Sequence, residues 1–133
     1  MKHVFADTSY YLALLGPADQ LRDRAIRYSH EPNRYDVTTD YILNELANAL
    51  HKRPDRGMYV ALRTALMNGP NTIIVAASPE LWEAGNALYA ARPDKEWSLT
   101  DCISFVVMEE WKLTEALTAD HHFTQAGFVA LLG

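Results

Sequence analysis

Cysteine is nearly absent: the 133-residue chain has one, Cys102, so no internal disulfide can form. A lone cysteine among apolar neighbours reads as a small buried hydrophobe, with a reducing, cytoplasmic setting as the expectation. No apolar run approaches the length needed to span a bilayer, so no membrane association is expected. The opening Met1–Asp7 lacks the apolar stretch and small-residue cleavage pattern of a secretory leader. No Cys or His spacing resembles a zinc site. Positive charge is scarce as well: 12 Lys and Arg stand against 17 Asp and Glu, a net charge of −5. This argues against the broad electrostatic grip on nucleic acid that basic domains have. A local basic rim is still available from Arg53, Arg56, Arg63, Arg92 and Lys95, each of which alone reads as an ordinary solvated residue.

What is present is a core. Apolar residues make up 49 % of the chain, and its length suits a single domain over residues 1–133, without repeats, low-complexity tracts or linkers. Lys2–Ala6 is a short apolar strand candidate, followed by a helix over Tyr10–Leu15 that Thr8 or Ser9 can cap. Gly16-Pro17 breaks it, and Ala18–Ser29 is amphipathic. A loop over His30–Arg34 leads to a second strand, Tyr35–Thr38. The third helix, capped by Thr39 or Asp40, runs to about Lys52 and is stopped by Pro54. Asp55–Asn68 is a fourth helix, Thr72–Ala76 a β-branched third strand, and Ser78 caps a fifth helix that has Pro79 in its first turn and ends near Ala91. Ser98 opens a sixth, very apolar helix. Ala116–Thr118 reads as a strand, His121-His122-Phe123 as a loop and Phe128–Leu132 as a final strand. Helices between short apolar strands predict an α/β fold with a short, mostly parallel central sheet and helices on both faces.

Four separated acids then share one setting. Asp7 and Asp120 lie just past strand ends, where open α/β sheets place their ligands. Asp101 and Glu45 lie in the early turns of helices that begin near the same edge. Each has a plainer reading. Ser98-x-x-Asp101 is a capping-box pattern, Asp7 suits a helix N-cap and Asp120 is an ordinary loop acid. Glu45 falls off the Leu43, Leu46, Ala47, Leu50 stripe and so looks like a surface residue. As a set, four like charges repel unless a cation joins them. Oxygen-only donors select Mg²⁺ or Mn²⁺, and carboxylate-held ions of this kind promote displacement at phosphorus. The implied chemistry is phosphodiester hydrolysis, with Thr8, Ser9 and Thr100 as donors that orient the acids. His121 and His122 read as solvated or structural, with a general-base role as the alternative. Trp82, Trp97, Trp111 and most tyrosines read as core or subunit contact, while Tyr10 and Tyr11, beside Asp7, are candidates for stacking on bases.

The segments Asp7-Thr8-Ser9, Asn44-Glu45-Leu46-Ala47, Ser98-Leu99-Thr100-Asp101-Cys102-Ile103-Ser104-Phe105 and Leu117-Thr118-Ala119-Asp120-His121-His122-Phe123 resemble the PIN-domain ribonucleases. Within that family they resemble the VapC-type toxins of toxin–antitoxin pairs. Each motif is weak alone, but their order and spacing cover nearly the whole chain. The resemblance implies a PIN-like three-layer α/β/α fold and a Mg²⁺- or Mn²⁺-dependent endoribonuclease acting on RNA. It implies Asp7, Glu45, Asp101 and Asp120 as the acidic, metal-binding and catalytic set, a cognate antitoxin whose tail lies near them, and a homodimer. A phosphoacceptor domain would want paired acids after the first strand, and a haloacid-dehalogenase-type phosphatase a second Asp at position 9, where Ser9 stands. A non-catalytic module holding a basic peptide in an acidic crevice is the remaining alternative.

Overall fold

Short runs of β-branched and apolar residues form the five strands of the computed structural model, which describes residues 1–133. In chain order the elements are β1 (Lys2–Ala6), α1 (Thr8–Leu15), α2 (Arg22–Ser29), β2 (Arg34–Thr39), α3 (Asp40–Ala49), α4 (Asp55–Asn68), β3 (Thr72–Val75), α5 (Pro79–Ala91), α6 (Leu99–Glu110), β4 (Glu115–Leu117), α7 (His121–Gln125) and β5 (Val129–Ala130). The strands form one sheet in the order β3-β2-β1-β4-β5, and every pairing is parallel. β1 and β4 are neighbours, yet the chain leaves β1 toward β2 and leaves β4 toward β5. Right-handed connections therefore place the helices that follow β1 and those that follow β4 on opposite faces. A crevice opens at the carboxyl ends of these two strands, where the winding reverses.

The core lies around the central strand: Val4, Phe5 and Ala6 are fully buried, as are Val37 of β2 and Ala116 and Leu117 of β4. From the helices come Ile42 and Leu46 of α3 and Ile103, Val107 and Met108 of α6. An aromatic chain ties the late elements to the centre. Trp97 meets Phe105 edge-on at 5.0 Å, Phe105 meets Phe123 edge-on at 5.0 Å, and Phe123 lies 6.2 Å from Phe5. Such pairs add roughly 0.5–1.5 kcal/mol each beyond burial.

Several boundaries differ from the sequence expectation. The loop expected at His121-His122-Phe123 is the start of α7, because the Asp120 side chain accepts a hydrogen bond from His122 N at 2.9 Å and caps it. The second helix starts at Arg22 rather than Ala18: Asp19 Oδ1 accepts from Leu21 N at 2.8 Å, a local turn that competes with helix. α3 stops at Ala49, short of Lys52. The last strand is reduced to Val129–Ala130, although Leu132 N still donates to Thr118 O at 3.0 Å. α1 begins at Thr8 with Asp7 at its N-cap position, so neither Thr8 nor Ser9 caps it.

Gly85 of α5 marks the tightest helix approach. A Cβ there would lie 2.3 Å from Ile103 Cγ1, inside α6. Gly→Ala within a helix ordinarily stabilises by up to about 1 kcal/mol. Here Gly85→Ala should instead destabilise by about 1–3 kcal/mol, read from urea midpoints. Adding Ile103→Ala should cost less than the sum of the two single changes. A stabilised Gly85→Ala protein would show that the two helices are further apart.

Candidate active site

Asp7 ends the central strand and is 6 % exposed. Although it stands at the N-cap position of α1, its side chain makes no capping bond. Its Oδ2 instead accepts from Thr118 Oγ1 at 2.8 Å and from Ser9 Oγ at 3.1 Å, and these two hydroxyls are 3.3 Å apart. Thr118 is fully buried just beyond β4, so the end of one strand is stitched to the end of its neighbour. The next hydroxyl, that of Thr8, donates a short hydrogen bond to Glu45 Oε1. Glu45 is thus half-buried against α1, which corrects its surface reading. Its spacing does set it off the α3 stripe, but the neighbour that covers it lies 37 residues away in sequence.

Asp101 caps its helix and also faces His122. Its backbone N–H donates to Ser98 Oγ at 3.0 Å and its Oδ2 accepts from Ser98 N at 3.1 Å, a complete capping box. The same Oδ2 lies 3.2 Å from His122 Nδ1. That ring nitrogen is also 3.3 Å from Asp120 Oδ1, so His122 bridges the two acids. Asp120 is fixed by Thr118 as well, whose Oγ1 accepts from Asp120 N at 3.0 Å. Thr118 and His122 are the participants that sequence reasoning missed as such. Thr118 carries no sequence signal beyond its place at a strand end, and the expected loop setting makes His122 look solvated or structural. Thr100, expected as an orienting donor, offers only its carbonyl, to Ser104 Oγ at 2.9 Å.

Tyr10 and Tyr11 are not available to stack on bases. They are 2 % and 1 % exposed and pack in the core, because α1 turns that face toward the sheet. Trp97 is core as expected, while Trp82 and Trp111 are exposed. Of the basic candidates, Arg92 and Lys95 border a groove of about 940 Å³ that reaches Ser98, three residues before Asp101. Arg56 and Arg63 line separate hollows beside α3 and α4.

The electrostatics follow from burial. Loss of water pushes the Asp7 carboxyl up to about 6, with the charges of Glu45 and Asp101 adding to the rise and Thr118 opposing it. Asp101 is also raised, first by burial and then by Asp120. No Lys or Arg forms an ion pair with any of the four acids; the basic side chains beside them are the imidazoles of His121 and His122. One buried and three half-buried carboxylates, oriented by hydroxyls and not paired with Lys or Arg, fit a hard divalent ion by the chemistry of their donors.

Comparison with known proteins agrees with this picture. No protein-family model matches the chain. It is 27 % identical over 130 residues to the 23S rRNA-specific endonuclease VapC20 in two strains of Mycobacterium tuberculosis, covering 95 % of each sequence. The crystal structure of M. tuberculosis VapC20, a sarcin–ricin-loop-cleaving toxin, superposes with a TM-score of 0.84 at 26 % identity, over 95 % of this chain and 96 % of that one. In sequence and in fold the chain is similar to this VapC-type toxin. FitAcB from Neisseria gonorrhoeae shares the fold, with a TM-score of 0.61 at 18 % identity over 96 % of this chain and 94 % of that one.

The raised Asp7 pKa gives the chain a signed pH dependence. Between 3.8 and about 6 the folded state binds more protons than the unfolded one, so metal-free stability falls as pH rises through that window. The full effect at neutral pH is roughly 3 kcal/mol. In chelator, Asp7→Asn should therefore melt several degrees above wild type at pH 7.5 and within about a degree of it at pH 3.5. A variant less stable than wild type at pH 7.5 would contradict the burial account.

Proposed function

We propose that this chain is a Mg²⁺- or Mn²⁺-dependent endoribonuclease that hydrolyses phosphodiester bonds in RNA, and that it is the toxin of a toxin–antitoxin pair. Asp7, Glu45, Asp101 and Asp120 are its metal-binding and catalytic acids. One observation carries this reading: carboxylates from four distant parts of the chain gather where the sheet reverses its winding, with hydroxyls and imidazoles around them and no Lys or Arg. The relatives named for cleavage of 23S rRNA favour an enzyme over a module that merely holds a basic peptide.

A divalent ion held by these acids would supply the charge that polarises a scissile phosphate and lowers the pKa of a water. The protein's own part is to hold the acids in place beforehand. Thr118 and Ser9 orient Asp7, Thr8 orients Glu45 and the Ser98 capping box orients Asp101. Arg92 and Lys95, beside the groove leading to Ser98, supply positive charge for backbone phosphates. Ribosomal RNA is the first substrate to test, since it is the relatives' target. The partner is an antitoxin carrying a basic or aromatic tail that reaches the acidic crevice. The working form is a cytoplasmic homodimer, for which exposed Trp82 and Trp111 are candidate contacts.

With Mg²⁺ or Mn²⁺, the purified protein should cut a labelled 23S rRNA fragment. Chelator should abolish cleavage. Losing even an orienting partner of a metal ligand costs about 10–100-fold, so removing a ligand itself, by Asp7→Asn or Asp101→Asn, should lower the rate by roughly a hundredfold or more with the circular dichroism spectrum unchanged. Cleavage that persists in chelator, or in both variants, would rule out the metal mechanism.

A further inference from the structure

His122 does more than the four-acid reading requires. Its ring is largely buried, and its Nδ1 sits 3.2 Å from Asp101 Oδ2 and 3.3 Å from Asp120 Oδ1. Its own backbone N–H fixes Asp120, and the next residue, Phe123, is fully buried in the aromatic cluster. The imidazole is therefore held in place, not free to swing in solvent. We propose that His122 is itself a metal ligand, a neutral imidazole that joins Asp101 and Asp120 and biases the site toward transition-series divalent ions such as Mn²⁺ over Mg²⁺. The inference rests on the metal-dependent reading above and extends its donor set by one nitrogen.

Three observations support it. Adjacent ligands around an octahedral ion with bonds of about 2.1 Å lie about 3 Å apart, close to both distances from His122 Nδ1. One nitrogen facing two carboxylates can donate a single proton, so as a hydrogen-bond donor it serves both acceptors poorly, whereas a shared cation serves all three groups. Donor atoms of Asp120, His121 and His122 lie within 4.8 Å of one another, a set that Asp101 joins only through His122, so an ion held here would draw Asp101 in toward Asp120. Mg²⁺ takes oxygen donors and keeps its waters, while later divalent ions accept imidazole. His121 is mostly exposed and is not included in the ligand set.

Pulsed electron paramagnetic resonance on the full chain loaded with Mn²⁺ reads nitrogen coupling from a directly bound imidazole. The coupling should be present in wild type, lost in His122→Gln and kept in His121→Gln. His122→Gln should weaken Mn²⁺ binding about tenfold or more, and Mg²⁺ binding by less than about threefold, by calorimetry. Glutamine retains a donor for the two acids, so a purely structural role for His122 would leave both affinities nearly unchanged. Bound Mn²⁺ without nitrogen coupling, or coupling that survives His122→Gln, overturns the proposal while leaving the acidic site intact. Failure of Mn²⁺ to bind, or binding unaffected by Asp7→Asn, would instead overturn the metal-dependent reading beneath it.

Discussion

The structure depends on one carboxylate that the fold buries at the end of its central strand. Asp7 is removed from water where a strand, a helix start and the neighbouring strand end meet. Burying a charge is costly unless it is paired, and the partners supplied here are hydroxyls, not cations. Hydroxyls orient a carboxylate without cancelling its charge. Glu45 and Asp101 are near enough to raise its pKa further. The metal-free fold thus holds a concentration of negative charge that an ion would relieve, and binding and stability are linked at this point.

Topology brings the other members to the same place. β1 and β4 are adjacent but lead in opposite directions, so their carboxyl ends frame an open crevice, with Asp7 past one and Asp120 past the other. α6 begins at that crevice, and its capping box holds Asp101 at the first turn. The Phe5, Phe123 and Phe105 cluster anchors the short α7, which on its own would be too short to be stable. Core packing and site geometry are therefore coupled: the aromatic contacts that hold α7 also set where Asp120 and His122 stand.

Much of this was legible in the residues, and the failures have physical causes. Hydrophobic period and turn chemistry located all five strands and six of the seven helices, because long apolar segments bounded by Gly, Pro and Ser carry their own signal. α7 was missed because five residues cannot show a helical period; its cap and Phe123 decide it. The acids were visible as strand-end and helix-start residues, and Asp101 proved to be both cap and cluster member, two roles that sequence reading had set against each other. Glu45 looked exposed because amphipathicity reports only a helix's own face, and not what a distant segment lays over the other one. Thr118 and His122 took their parts through contacts across about a hundred and about twenty residues respectively, which no local pattern encodes.

The most direct measurement is anomalous scattering from crystals soaked in Mn²⁺. The account predicts one or two peaks at the carboxyl ends of β1 and β4, the first within about 2.5 Å of oxygens from both Asp7 and Asp101. Peaks confined to other surfaces, or Asp7 remaining bonded only to Thr118 and Ser9 with no ion beside it at saturating Mn²⁺, would contradict it.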